Sequence, residues 1–384
     1  MSVTAADGFI AAGAHCGIKA AGVPDLALVA TADGRPVPAA GVFTANLAAA
    51  APVQVSRRHL ETSGGHAAAV VLNSGNANAA TGEQGMADAE RMCALVAVGL
   101  GCQPEHVLVC STGLIGIPLP MAPIEAGIPS LVGALSADGG SAAAEAIRTT
   151  DTVRKEVVVR DGGFTIGGMA KGAAMLAPNM ATMLAVLTTD AAAEPAVLGQ
   201  QLQRSVVNTF NSLSVDGCTS TNDTVIVLAG GVVEPKELGI PLTVACGSLA
   251  EQMAADAEGA TKTVWVKVTG APDEDEARRA ARRVAESQLV KCSLFGADPY
   301  WGRIVSELGS AGVAFDPDRV EVAYGGVTVC SKGVAVSHDA DAVRVHLQGR
   351  RVEITADLGL GHAEAAILTN DLTPAYIDEN MRTS

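Results

Sequence analysis

The sequence predicts a mixed α/β (α+β) fold. Three observations predict it. Short β-branched runs alternate with helical patterns through most of the chain, as in packed layers of sheet and helix. Toward the C-terminus the pattern shifts to strands, which implies a second, smaller α/β domain. The 384 residues are 48% hydrophobic but only 3% aromatic, so the core must be built from Ala, Val, Leu and Ile. At about 150 residues per domain this length gives two or three domains. A chain of this size buries about 75% of its unfolded surface, so it needs no disulfide or metal staple.

The elements follow in chain order. Residues 68–72 read as a buried strand, which feeds the turn-rich run Asn73-Ser-Gly-Asn-Ala-Asn78. A helix is predicted over 84–98 and a strand over 107–110. Residues 156–160 and 164–166 form a hairpin around Asp161-Gly-Gly163. Residues 182–188 read as an interior strand. Pro195 suits the first turn of a helix over 196–207, and a second helix covers 249–257. A β-branched strand over 263–268 precedes a charged helix over 273–286. The final strands are predicted at 320–323, 342–347 and 351–355. The domain boundary is therefore expected between residues 270 and 290.

Charge and motifs exclude several functions. Lys and Arg total 26 against 41 Asp and Glu, a net charge of −15. That argues against nucleic acid and against an anionic membrane surface, both of which select basic faces. A small anionic substrate needs only one or two local cations. The N-terminal region has no basic targeting segment, its first Lys being Lys19, and no apolar run reaches the length of a membrane span. The eight Cys form no CxxC pair, which reads as reduced, buried thiols in a cytoplasmic protein. Cys102, His106 and Cys110 lack a fourth ligand at zinc spacing. Gly167-Gly-Met-Ala-Lys-Gly172 lacks Walker spacing, and Gly359-Leu-Gly361 lacks the third Gly of a dinucleotide fingerprint.

Three stretches place polar residues in apolar or glycine-rich surroundings. In Cys110-Ser-Thr-Gly-Leu-Ile-Gly116, a Thr-Gly at a strand end offers a hydroxyl and N–H groups to one oxygen, as an oxyanion hole does. An ordinary tight turn has the same composition. In the run from Lys171 to Asp190, Pro178 precedes Ala181-Thr182 at the start of a buried strand. A Thr hydroxyl is a weak nucleophile. Cleavage before Thr182 would give it an α-amine of pKa about 7.7–8.0 as a neighbouring base. A β-branched residue that merely starts a strand looks the same. The polar run from Ser214 to Val225 reads as a solvated turn or a ligand loop, and pattern alone favours the turn.

Together these stretches resemble one family closely. KGAAMLAPNMATMLAVLTTDA is similar to the cleavage-site signature of the ornithine acetyltransferases, the glutamate N-acetyltransferases of arginine biosynthesis. The resemblance spans nearly the whole chain. It runs through GVFTAN with AAPV, NSGNANAATG, STGLIG, TTDT, STNDT, DAEGATK, DPYWGR and DLT with a terminal Asn. It implies a layered α/β/β/α sandwich like that of the self-cleaving aminopeptidases, with a smaller C-terminal domain. It also implies a precursor that cuts itself between Ala181 and Thr182. The α chain would be 1–181 and the β chain 182–384. Residues 1–181 and 182–280 would form the catalytic sandwich, with 281–384 as the C-terminal domain. The chains would stay associated, as α2β2.

The implied activity is acetyl transfer from N2-acetyl-ornithine to glutamate through acetyl-Thr182. The α-amine of Thr182 serves as base, and Thr112 and Gly113 form the oxyanion hole. The implied substrate contacts are Thr149, Lys171, Thr182, Glu258, Asn380 and Ser384. Lys171 suits an α-carboxylate, as the one cation on which the substrate site depends, and Glu258 suits the ornithine ammonium. No cofactor or metal is implied, and acetyl-CoA is left open as a further donor substrate. Departures from the family pattern are Tyr300 in DPYWGR, the run from Ala366 to Asn370, and the short tail after Asn380. They leave open a paralogue of secondary metabolism with another acceptor. A self-processing aminopeptidase or amidase, or a binding protein without chemistry, are the other readings.

Overall fold

In this computed structural model the described residues are 2–20, 22–175, 183–233 and 237–381. They fall into two compact units, Met1–Asn211 with Cys218–Met253, and Ser212–Gly217 with Ala254–Thr383.

The first unit contains, in chain order, β1 (Phe9–Ala14), β2 (Leu26–Thr31), β3 (Val37–Phe43), α1 (Ala51–Thr62), β4 (His66–Ala67), β5 (Ala69–Asn76), α2 (Gly82–Leu100), β6 (Val107–Leu114), α3 (Met121–Gly133) and α4 (Gly140–Ala146). It continues with β7 (Lys155–Asp161), β8 (Phe164–Lys171), β9 (Leu184–Ala191), α5 (Pro195–Val207), β10 (Thr224–Val233) and α6 (Gly239–Ala255). The strands form a four-stranded sheet, β1-β2-β5-β6, and a six-stranded sheet, β4-β3-β10-β9-β8-β7. Alternate residues point to opposite faces of a strand, and each sheet uses both. Val29, Val70, Leu72 and Leu108 meet Met169, Leu184, Val186 and Ile226 in one core between the sheets. Leu28, Val71 and Val109, on the other face, pack on Met92 and Val96 of α2 and Ile124 and Ile128 of α3. On the far side of the six-stranded sheet α5 packs against β3. The unit is thus the α/β/β/α sandwich the sequence implied.

The second unit holds β11 (Thr263–Ala271), α7 (Glu274–Ala285), α8 (Gln288–Phe295), α9 (Trp301–Gly309), β12 (Glu321–Tyr324), β13 (Val327–Ser331), β14 (Val334–Ala335), α10 (Ala340–Gln348), β15 (Arg351–Asp357), β16 (Ala363–Asn370) and α11 (Pro374–Asn380). Its sheet order is β14-β13-β12-β15-β11-β16. Helix α7 starts at Asp273, whose carboxylate accepts the Glu276 N–H, and it buries Ala277, Ala280, Ala281 and Val284 along one face. Strand β11 pairs with β15 and β16, so it belongs to this sheet. The units part at Met253–Ala254, upstream of the 270–290 window in which the shift toward strands placed the boundary.

Residues 342–347 form part of α10 and not a strand. Their alternation of apolar and polar residues mimics a strand, but Asp339 caps Ala342 and buries Val343 and Leu347 one helical turn apart. Helix α6 begins well before the predicted 249, hidden by Pro241 and its glycines. The Gly167–Gly172 run lies largely in interior strand β8 and is no phosphate loop. The cysteines form no disulfide among the described residues, but Cys218 and Cys292 are exposed and Cys16 and Cys102 half-buried, so the expectation of uniformly buried thiols fails. Among the described residues no helix is long and apolar enough to cross a membrane.

Candidate active site

Strand β6 delivers Thr112 and Gly113. Asn76, ending β5, faces both Thr112 and Leu114, a bulge that disturbs the ladder at this point. Gly113 has φ +134°, and a Cβ there would lie 2.2 Å from the Gly75 carbonyl carbon. Only glycine fits. Thr112 is buried, and its Oγ1 accepts a hydrogen bond from Lys171 Nζ at 3.3 Å.

Lys171 ends β8 and is itself buried. Its Nζ stands 3.9 Å from Asp151 Oδ2. Asp151 is the hub of this cluster, although sequence reading singled out only its neighbour Thr149. Its Oδ1 accepts from Lys155 Nζ at 2.7 Å and from the Gly172 N–H at 2.7 Å. Its Oδ2 accepts from the Thr149 N–H at 3.1 Å. Burial alone would raise the Asp151 pKa. The Lys171 and Lys155 ammonium groups outweigh it and hold the carboxyl well below the usual range. The expectation of a single cation, Lys171, is therefore corrected to a buried two-lysine, one-carboxylate cluster with a net positive charge. Nothing in the local sequence pattern around Lys155 marks it, because it reads as the start of a strand.

The cleavage-site residues Ala181 and Thr182 lie outside the described residues, as does Ser384. The residue after Thr182 is well fixed. The Met183 N–H donates to Asp223 Oδ1 at 2.9 Å, and its carbonyl accepts from the Thr224 N–H at 3.1 Å. Burial pushes the Asp223 carboxyl well above the usual range, only partly offset by the Met183 N–H, and its Oδ2 has no hydrogen-bond partner among the described residues. Asn222 Nδ2 donates to the Ala77 carbonyl at 2.6 Å and to the Ser111 carbonyl at 2.9 Å. Residues 220–224 are thus an interior polar network beside the Thr112 strand, and not the solvated turn that pattern favoured.

Glu258 and Asn380 belong to the second unit. Glu258 is buried, and its Oε2 accepts from Asn380 Nδ2 at 2.7 Å. Gly259, at φ +62°, lets α11 approach, since a Cβ there would meet the Tyr376 nitrogen at 2.3 Å. A cavity of about 160 Å³ is lined by Glu258 together with Asp216, Glu286, Lys291, Asn370 and Tyr376. So the structure brings Thr112, Gly113, Thr149 and Lys171 together in one unit, and Glu258 with Asn380 in the other.

The ArgJ family model matches residues 10–383. The chain belongs to the ArgJ family. Two similar relatives are both named arginine biosynthesis bifunctional protein ArgJ. That of Streptomyces avermitilis is 49% identical, covering 99% of each chain. That of Mycobacterium leprae is 48% identical, covering 98% of this chain and 94% of the relative. A solved structure described as ornithine acetyltransferase complexed with ornithine, from Mycobacterium tuberculosis, is 46% identical. It covers 46% of this chain and 94% of that chain, with a TM-score of 0.44. Of the residues read from the sequence as departures, Tyr300 is exposed with Arg303 over its ring at 5.1 Å, whereas Asn370 lines the Glu258 cavity. Asn370 is fixed there by bonds from Nδ2 to the Ala254 and Lys262 carbonyls.

Proposed function

We propose that this ArgJ-family chain is a glutamate N-acetyltransferase, which moves acetyl from N2-acetyl-L-ornithine to L-glutamate. The relationship to curated ArgJ proteins across essentially the full length of both chains carries this reading. The buried Thr112, Lys171 and Asp151 cluster agrees with it chemically. The precursor cleaves between Ala181 and Thr182 when the Thr182 hydroxyl attacks the Ala181 carbonyl and the resulting ester is hydrolysed. The freed α-amine then takes the hydroxyl proton as Thr182 attacks the acetyl carbonyl. Thr112 and Gly113 hold the oxyanion. The C–N bond breaks, ornithine leaves with the proton on its amine, and acetyl-Thr182 remains. The glutamate amine attacks that ester and restores the hydroxyl. Lys171 takes the substrate α-carboxylate and Glu258 the ornithine ammonium, with Thr149, Asn380 and Ser384 as further contacts.

No bound cofactor or metal takes part in this route. The α and β chains stay together, as α2β2, in the cytoplasm. Cysteines that form no disulfide among the described residues support that compartment.

The test is an intact-mass measurement and a denaturing gel of purified protein, followed by exchange of labelled acetyl. Two fragments are expected, the second beginning at Thr182, with label passing from acetyl-ornithine into N-acetylglutamate. A single uncleaved chain, or label released mainly as acetate, would overturn the reading. Acetyl-CoA supplied as the only donor reads whether it serves as a second acetyl source. Thr182→Ala should give one uncleaved, inactive chain.

A further inference from the structure

Lys19 lies outside every site motif above, yet it touches two sides of the first unit's site. Its loop is organised by Asp25, whose side chain is wholly buried. Asp25 Oδ1 accepts the Cys16 N–H at 2.7 Å. Oδ2 accepts the N–H groups of Gly17, Ile18 and Lys19 at 3.1, 2.8 and 3.0 Å. Consecutive amides that converge on an anion make a rigid nest, filled in this case by the protein's own carboxylate. These bonds outweigh burial and hold the Asp25 pKa below the usual range, so the nest stays charged.

Held in this way, the Lys19 stem lies against Gly75, where an added Cβ would stand 3.0 Å from Lys19 Cγ. Gly75 is the ladder partner of Gly113. At its other end, Lys19 Nζ donates to the Pro24 carbonyl at 3.0 Å and to the Arg148 carbonyl at 2.5 Å. Arg148 immediately precedes Thr149. One side chain therefore spans from the oxyanion ladder to the turn that carries Thr149 and Asp151.

We propose that Lys19 is a positioning residue for acetyl transfer, which clamps the Gly75–Gly113 ladder to the Arg148–Thr149 turn and adds a positive charge beside Lys171. The proposal rests on the acetyltransferase reading. The charged groups that face Lys19 are Asp25 and Asp151, which favour its ammonium, and Lys171 and Arg148, which oppose it. His15, 3.2 Å from Asp25, and Cys16 lie on its own loop. Burial dominates, and together these bring Lys19 down to about 8. The clamp therefore loses its charge-assisted bonds in mildly alkaline solution.

Acetyl exchange measured from about pH 6.5 to 9.5 on wild type, Lys19→Arg and Lys19→Met tests this, with a gel to follow self-cleavage. Wild type is expected to lose kcat on the alkaline side near pH 8. Arg keeps its proton, so Lys19→Arg should move that limb upward by about one pH unit or more. Lys19→Met keeps the stem but not the clamp, and should lower kcat about tenfold or more near neutrality with little change in KM. An alkaline limb unmoved in Lys19→Arg, or wild-type kcat in Lys19→Met, would overturn the proposal. If Lys19→Met fails to fold, the Lys19→Arg profile decides alone. Wild type that cleaves but exchanges no acetyl would sink the function reading instead. The clamp is then read from self-cleavage, which Lys19→Met must slow.

Discussion

At the scale of single residues, two positions are set by contact geometry. Gly113 cannot carry a side chain, because its Cβ would meet the Gly75 backbone at a φ that L-residues rarely adopt. On the proposed oxyanion role, Gly113→Ala displaces that donor and should cost about 10²–10³ in kcat, measured as acetyl exchange. Asp151 is shared by two buried lysines. Asp151→Asn removes the carboxylate that both ammonium groups share, and should cost about 3–5 kcal/mol in urea unfolding. Its folded pKa lies below the unfolded one, so the pair's contribution is complete above the usual carboxylate range. It is lost as pH falls through the lower folded value. Wild type should accordingly lose stability in acid more steeply than Asp151→Asn. The motif alone makes Thr182 the proposed nucleophile, and it lies outside the described residues. The buried Asp151–Lys155 ion pair was not legible, since a charge cluster made by a turn and two strands has no linear spacing.

At the scale of elements, β5 to β9, β11, β12, β15 and the helices α2, α5 and α7 were legible because burial imposes a period, whereas β1 to β3, β10, β13, β16, α1 and α3 were not read from the sequence. The hairpin of β7 and β8 and the helix α5 stand where turn residues and Pro195 placed them. Helix α10 shows where period fails. Six residues are too few to separate alternation from a helical turn, and the side-chain cap at Asp339 decides. Asp339→Ala should destabilise the second unit by about 1 kcal/mol in urea unfolding, with acetyl exchange unchanged. Helix α6 was truncated in the sequence reading because propensity penalises its Pro and Gly, while packing of Leu242, Ala245, Leu249 and Met253 overrides them.

At the scale of the whole molecule, a net charge of −15 coexists with a locally positive site. Lys19, Lys155 and Lys171 come from three separate parts of the chain, so a sum over the sequence could not register them. Glu258 stands in the other unit, with one oxygen given to Asn380. Glu258→Ala should raise KM for acetyl-ornithine by about 10–100-fold, as for one lost charged hydrogen bond, while self-cleavage proceeds. Loss of cleavage in that variant would count against its role as a substrate contact.

The sequence by itself determined the family, the class of layered fold, the Thr-Gly pair and the bond expected to be cut. Those features are local, and short motifs in fixed order record them. The tertiary structure alone decided that Asp151 joins Lys155 to Lys171, that Asp25 holds Lys19 on Gly75, and that β11 belongs to the second unit. Each depends on groups far apart in the chain that meet only when burial makes an unpaired charge or an unpaired strand edge costly.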